Sequence, residues 1–316
     1  MDLYDLGPIN WWETQCYYHA LAYLGREGLI ICCPTSPYVC LGLHDDYDQE
    51  IDHEFCTQTG IPVFRRETGG GVVYLDQRQV FFQLVLKRDN PRLPLHRQRY
   101  YQHFLQPAVS VCKDYGLPAQ VKEPADIVAA GKKCSGNACG DIGRGVAYVG
   151  NILLDFDYRT MSRVMRVPHQ SFREHFRLAM QANMTTLKDW IEEPVDYDQV
   201  AARLVDRYSQ QWGDLQPLPA DQELIDKARE IFNRVNSEEW LRMPGRRYSQ
   251  RRIKVAEGVM LLEQRLGPEL MAAVLVRGGR VEELKMVGSP PSHSEFFPEI
   301  VGQPWREDLL AAFQAV

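Results

Sequence analysis

Two short stretches carry residue types whose spacing could do chemistry. The first is Arg65-Arg66-Glu67-Thr68-Gly69-Gly70-Gly71-Val72-Val73-Tyr74-Leu75-Asp76, where three glycines separate a guanidinium pair from a β-branched and aromatic run. Glycines leave the backbone unobstructed, and guanidinium forks together with backbone amides bind phosphate or carboxylate. The second stretch runs from Gly131 to Ala138, where Lys132 and Lys133 precede the small residues Ser135, Gly136 and Ala138. A lysine held there is a point charge that can stabilise negative charge developing on a phosphoryl or acyl oxygen. Taken together, the two stretches imply nucleotide-assisted activation of a carboxylic acid. Each alone has a plainer reading: a flexible turn for the glycines, a solvated surface pair for the lysines. The GxxxxGK[ST] spacing of a Walker A loop is absent, and no GxGxxG opens a helix after a strand.

Composition bounds what the rest of the chain can be. With 316 residues, 45% of them apolar and 25% charged, it has room for one large globular domain, or a large one and a small one. A net charge of −6 and a pI near 5.8 argue against a nucleic-acid footprint. The cluster Arg246-Arg247 with Arg251-Arg252 reads as a solvated face. The first residues lack a basic n-region and no long apolar run follows, which predicts no signal peptide, no membrane span and a cytoplasmic location. All eight cysteines lie between positions 16 and 139. None forms a CxxC pair or a zinc-spaced cluster, so reduced, buried thiols and no metal site are expected.

The elements that must position the two stretches follow from periodicity. Asn10 to Gly25 predicts an amphipathic helix ended by Gly25. Leu29–Cys33 and Tyr38–Leu43 predict neighbouring strands joined by a tight loop through Pro34 and Pro37. A helix over Glu50–Thr59 and a strand over Ile61–Phe64 deliver the chain to Arg65. Val72–Tyr74 and Val80–Leu86 are strand-like, and Arg97–Tyr115 is helical with a kink or restart at Pro107. A short strand from Asp126 runs into the lysine loop, Asp141–Gly145 suggests a hairpin, and Val146–Asp157 is a strand. From Tyr158 the pattern is helical, with stripes at Ala201-Leu204-Tyr208 and Leu224-Ala228-Ile231-Val235. The last part, residues 250–316, has apolar runs at Val255–Leu262 and Met271–Val276, a turn at Gly278-Gly279, a strand at Val281–Val287 and a helix from Trp305 to Ala315. That pattern predicts a small α+β module of two to four strands.

The residues just quoted carry a family resemblance. Arg65–Asp76 resembles the RRxxGGGxVxHD signature of lipoate-protein ligases, Gly131–Ala138 resembles their GxKxSGxA loop, and Val149–Asp155 resembles the strand written HHGTLLL. The resemblance implies an α/β (α+β) fold, with a mixed, largely antiparallel sheet flanked by helices to about residue 245. A small C-terminal accessory domain over 250–316 then swings about a hinge near Pro244-Gly245. It implies that lipoate or octanoate, with ATP and Mg²⁺, gives an acyl-adenylate and pyrophosphate. The acyl group then passes to a lysine of an acceptor: a lipoyl domain, a glycine-cleavage H protein, or an H-protein-like lipoate-binding protein of sulfur oxidation. A monomer is expected. By position, Lys133 is the catalytic lysine. Arg66 and Thr68 fall on the phosphate side, Gly69, Gly70 and Gly71 line the acyl and adenylate channel, Ser135, Gly136 and Ala138 form the opposing wall, and Arg65, Asp76 and Gln79 complete the adenylate site.

An arginine that some members carry just after the alanine is absent here, with Gly140 nearby and Arg144 as a candidate stand-in, and the chain departs from the motifs in three further places. Leu75 stands where the family has the histidine of HD, Gln77-Arg78-Gln79 replaces an asparagine-bearing turn, and Tyr148-Val149 replaces the double histidine. Two other chemistries belong to the same superfamily or remain open to this chain. Octanoyltransferases and amidotransferases use a cysteine nucleophile without ATP, and Cys134 and Cys139 flank the lysine loop. In the ATP-independent members with the glycine loop, however, that nucleophile is expected near residues 124–126, where this chain has no cysteine. A lipoyl-binding paralogue without turnover is the non-enzymatic alternative. Biotin ligases share the fold but carry a GRGR-type loop that is missing here.

Overall fold

The computed structural model describes residues 1–94, 98–267, 270–287 and 299–309. Its backbone is a six-stranded sheet in the order β10-β11-β6-β2-β1-β12. The N-terminal half supplies β1 (Asp2–Ile9), α1 (Glu13–Leu24), β2 (Gly28–Pro34), β3 (Tyr38–Leu41), α2 (Tyr47–Glu50), α3 (His53–Thr59), β4 (Val63–Arg65), β5 (Val73–Leu75) and β6 (Gln79–Lys87). Then follow α4 (Gln98–Phe104), α5 (Gln106–Asp114), β7 (Ala119–Lys122), β8 (Asp126–Ala129), β9 (Lys132–Ser135), β10 (Asn137–Ile142) and β11 (Gly145–Leu153). The chain continues through α6 (Tyr158–Val164), α7 (Gln170–Asn183), α8 (Tyr197–Trp212), β12 (Gln216–Pro217), α9 (Gln222–Val235) and α10 (Glu238–Leu241). It closes with β13 (Arg252–Ala256), β14 (Val259–Arg265), β15 (Met271–Arg277) and β16 (Arg280–Val287).

β6 is buried along its whole length except Lys87, because helices cover both of its faces. Phe82, Leu84 and Leu86 pack with α5 and α8, while Phe81 and Val85 pack with α1 and α9. A strand covered on both sides reads as a continuous apolar run, as this one does. β2, β6, β11 and β10 are antiparallel neighbours, whereas β1 runs parallel to β2 and to β12. Two three-stranded sheets, β4-β3-β5 and β7-β8-β9, flank the large one. The mixed, antiparallel-rich fold flanked by helices is the expected one.

Several elements differ from the sequence reading. β2 and β3 are not partners: Pro34 ends β2, Thr35 N donates to Ile9 O at 2.8 Å, and the chain crosses to a different sheet. Of the helix expected over Glu50–Thr59 only His53–Thr59 forms, as α3; the short α2 precedes it, and each is capped by an aspartate, Asp46 or Asp52. Pro107 restarts the helix, separating α4 from α5 at Leu105. The lysine loop is two strands, β9 and β10, with the small residues at the corner where the chain leaves one sheet for another. β1 was not anticipated, since Asp2, Asp5 and a register shift before Gly7 break its apolar alternation.

The C-terminal part forms an antiparallel four-stranded sheet, β13-β14-β15-β16. One face, with Val255, Leu261 and Leu275, packs on Phe172 and Phe176 of α7. The expected final helix lies partly outside the described residues, and residues 305–309 are irregular chain and turn rather than helix.

Candidate functional site

β4 carries Phe64 and Arg65 in register with Cys40 and Leu41 of β3, so the glycine turn starts from a fixed base. Three further contacts hold it: Arg66 N donates to Leu41 O at 3.0 Å, Leu43 N to Thr68 O at 3.0 Å, and Glu67 N to His19 Nε2 at 3.3 Å. His19 Nδ1 lies 2.6 Å from Gln15 O, which assigns the proton to Nδ1 and leaves Nε2 as the acceptor. Burial lowers the His19 pKa, consistent with a neutral ring.

The two arginines part company. Arg65 is fully buried and points away from the turn: its guanidinium donates to the carbonyls of Leu43 (2.9 Å), Asp45 (2.7 Å) and Leu241 (2.6 Å). It therefore ties the segment after β3 to the end of α10 and does not line the cavity described below, contrary to its expected place in the adenylate site. Arg66 does line that cavity, but its donors go to β3 and to the turn itself. Nη1 bonds Cys40 O (3.1 Å), and Nη2 bonds Gly69 O (2.8 Å) and Gly71 O (2.9 Å). Arg66 thus shapes the glycine turn from inside. Gly70 has φ +97°, and a methyl there would stand 2.8 Å from Arg66 Nη2, so only glycine fits. Around Gly69 and Gly71 the space is open.

Opposite stands Lys133, on β9. Its Nζ lies 2.9 Å from Asp126 Oδ1, and its side chain is 21% exposed. Gly69, Gly70, Gly71, Arg66, Lys133, Gly136 and Ala138 line one cavity of about 320 Å³. Val72, Val73, Leu75, Phe81 and Val149 give it an apolar stretch of wall, and Lys254 and Glu257 of the C-terminal sheet also line it. The structure therefore brings together the glycine turn and the lysine loop.

The other expected site residues lie behind the wall. Thr68 is fully buried, its Cγ2 3.1 Å from where a methyl on Gly140 would be. Asp76 is buried and holds Arg78 through N (3.0 Å) and Nε (2.9 Å). Gln79 donates to Tyr74 O and accepts from Asn151 Nδ2 at 2.6 Å, and Asn151 Oδ1 in turn accepts Gly136 N at 2.8 Å. Gln79 thus steadies the lysine loop through Asn151. Ser135 is buried and donates to Asn137 Oδ1 at 3.1 Å. Thr68, Asp76, Gln79 and Ser135 support the cavity without lining it.

Sequence reading missed several cavity residues, including Gln15, Cys40, Gln83, Tyr101, Asn151, Lys254 and Glu257. Asn151 lies in the Val149–Asp155 motif, whose pattern does not single it out; the others sit in no motif, and strand register and helix packing bring them there. Of the departures, Leu75 and Val149 meet on the same cavity, whereas Tyr148 faces the other side of β11 and packs on Phe104 at 4.2 Å between ring centroids. Cys134 is buried, and Cys112 beside it together with burial pushes its thiol well up. Cys40 and Cys139 line the cavity. Burial pushes the Cys40 thiol up, against the Arg66 guanidinium, which pulls it down.

Comparison with known proteins defines the class. A sequence profile described as the lipoyl protein ligase A/B catalytic domain matches residues 11–209, and the chain belongs to that family, which takes in lipoate ligases and octanoyltransferases. The chain is 23% identical over 227 residues to the octanoyltransferase LipM of Kyrpidia tusciae, covering 65% of this chain and 82% of that one. It is 21% identical to the lipoate-protein ligase LplJ of Bacillus subtilis, covering 65% of this chain and 60% of the relative. It is 25% identical to lipoate-protein ligase A subunit 1 of Thermoplasma acidophilum, covering 64% and 79%.

Among solved structures, the bipartite lipoate protein ligase of T. acidophilum, studied with its E2 lipoyl domain, has the same fold with a TM-score of 0.69. The two are 23% identical, over 78% of this chain and 98% of that one. P. falciparum LipL1 in complex with lipoate matches at a TM-score of 0.60 and 15% identity, over 99% of this chain and 93% of that one. Among the described residues no helix is long and apolar enough to cross a membrane.

Proposed function

We propose that the chain is an ATP-dependent lipoate-protein ligase. A carboxylate oxygen of lipoate or octanoate attacks the α-phosphorus of ATP, and pyrophosphate leaves. The ε-amine of an acceptor lysine then attacks the acyl carbon, and AMP leaves as the amine loses a proton. The observation that carries this reading is the shared cavity: the Lys133 ammonium and the open backbone of Gly69 and Gly71 stand beside an apolar wall of Val72, Val73, Leu75, Phe81 and Val149. An acyl chain suits the apolar wall, and the two anionic reactants suit the lysine. Two unit charges repel as 1/εr, so a fixed ammonium between them offsets a repulsion that a dry cavity would otherwise amplify.

ATP enters as a co-substrate, and the open face of the glycine turn fits a phosphate chain lying against backbone. A fold neighbour solved as lipoate-protein ligase A bound with ATP supports that fit. Among the described residues no three acidic, histidine or cysteine side chains converge, so Mg²⁺ would arrive held mainly by phosphate oxygens. The acceptor would be a lipoyl-domain or H-protein-like protein, as the E2 lipoyl domain studied with the T. acidophilum neighbour suggests.

The relatives also include octanoyltransferases. Burial pushes the thiols of Cys40 and Cys134 up, which disfavours a nucleophilic thiolate at those two positions and leaves Cys139, on the cavity wall, as the cysteine a transferase would use. The two readings separate on pyrophosphate release with lipoate or octanoate. Release is expected to require ATP, and Lys133→Ala should lower its turnover by on the order of 10²–10³-fold while the protein stays folded. Near-normal turnover in the folded variant would remove Lys133 from the mechanism. Acyl transfer from a carrier without ATP would establish the transferase, and tight binding with neither reaction a non-catalytic paralogue.

A further inference from the structure

Asp126 is buried and stands between the cavity and the C-terminal sheet. Its Oδ1 meets Lys133 Nζ at 2.9 Å, and its Oδ2 accepts the backbone N–H of Glu257 at 2.8 Å. Glu257 lies in the turn between β13 and β14, and Lys122 Nζ grips the same residue from the other side, donating to Glu257 O at 2.8 Å. Lys254 of β13 and Glu257 of the turn pair with each other and line the cavity. A carboxylate is rigid and planar, so the orientation that serves one oxygen's partner fixes the other's. Because Asp126 is buried, removing either partner leaves an under-satisfied charge that must turn toward the one remaining.

We propose that Asp126 is a positioning residue that couples the C-terminal sheet to the catalytic lysine. The Lys133 ammonium is aimed into the cavity only while the β13–β14 turn, seated by Lys122, holds the second carboxylate oxygen. The C-terminal sheet thereby contributes to activation through its backbone, as well as by covering the cavity. The proposal rests on the ligase reading for its kinetics, but not for its geometry.

A double-mutant cycle on the full-length protein tests it, using Asp126→Asn, Lys122→Met and the two combined. Adenylation is read by ATP–pyrophosphate exchange with octanoate, seating of the turn by hydrogen exchange at the Glu257 amide, and Lys133 itself by its acetylation rate with acetic anhydride, followed by mass spectrometry. Lys122 is exposed and does not line the cavity, so Lys122→Met leaves the reacting groups in place. It should speed exchange at Glu257, change the Lys133 labelling rate and slow adenylation about tenfold. Asp126→Asn should lower kcat about 10²-fold, the scale of a misplaced reacting group, with KM for ATP and octanoate little changed. The double variant should be no slower than Asp126→Asn, and its Lys133 labelling no different.

Additive losses in the double variant would overturn the coupling. So would faster exchange at Glu257 in Lys122→Met with wild-type turnover and labelling, or no change in that exchange at all. If Asp126→Asn does not fold, Lys122→Met decides alone. Absence of pyrophosphate exchange in the wild-type protein would sink the ligase reading, while the labelling and hydrogen-exchange cycle would still decide whether Asp126 couples turn to lysine.

Discussion

Asp45 lies beneath the glycine turn, its Oδ2 3.0 Å from where a methyl on Gly42 would sit. Burial, with Glu50 nearby, pushes its carboxyl up from 3.8 to about 6, despite the opposing pull of Arg66 and Arg65. The folded state therefore holds this proton where the unfolded chain has released it. Asp45 adds stability that is full below about pH 4 and lost as pH rises through about 6. Asp45→Asn should remove that loss, raising stability by about 1–2 kcal/mol above pH 7 once partial exposure is allowed for. Urea denaturation of both proteins at pH 5 and pH 8 checks it: the gain should appear at pH 8 and shrink at pH 5. Neighbouring groups of one chemistry thus take different duties: Arg65 braces the fold and Arg66 shapes the turn.

At the scale of elements, the glycine turn is held by the segment that follows β3. Leu43 bonds Thr68, and Gly42 approaches so closely that a methyl would stand 1.9 Å from Gly70 O. Gly42→Ala must push the turn outward, because the contact is with backbone and no flexible side chain can yield. The expected cost is about 1–3 kcal/mol of stability. On the ligase reading a higher KM for ATP should accompany it, because the displaced backbone faces the cavity. A thermal melt and steady-state kinetics measure the two effects, and an unchanged KM in the folded variant would mean the turn does not face the nucleotide. Gly42 was invisible to motif reading, since its partner lies 28 positions away in the chain and only the β3–β4–β5 pairing brings them together.

Across the whole molecule, the chain between α10 and β13 is stitched to the catalytic part. Asp46 pairs with Arg247 at 2.6 Å, Asp48 with Arg242 at 2.5 Å, and Glu50 with Arg251 at 2.7 Å. The first two arginines are well exposed and contribute little each. Arg251 is buried, bidentate on Glu50 and bonded to Arg166 O at 2.8 Å, so its removal strands a buried carboxylate. Arg251→Met should destabilise the protein by roughly 3–5 kcal/mol and expose the segment over residues 242–251 to limited proteolysis. Persistent protection of that segment would show that the C-terminal sheet is anchored elsewhere. The expected hinge at Pro244-Gly245 lies within this stitched segment, where Arg246 N bonds His44 O at 2.7 Å.

The sequence by itself determined the family and the two stretches that the fold sets on one cavity, because a run of glycines and a lysine among small residues are local features that need no distant partner to be read. It also determined an element with strong periodicity such as α9, whose buried stripe can be read without knowing its partners, whereas α1, expected to be amphipathic, is buried at every position from Thr14 to Ala22 because it is covered all round. Only the tertiary structure decided which charged groups face the cavity. Arg65 and Arg66 alternate along extended backbone, and strand pairing sets which one turns inward. It alone joined Asp126 to Glu257, 131 positions apart, and set Leu75 and Val149 on one apolar wall. Such contacts depend on sheet order and register, which pair distant segments by the burial of whole faces and leave no trace in local spacing.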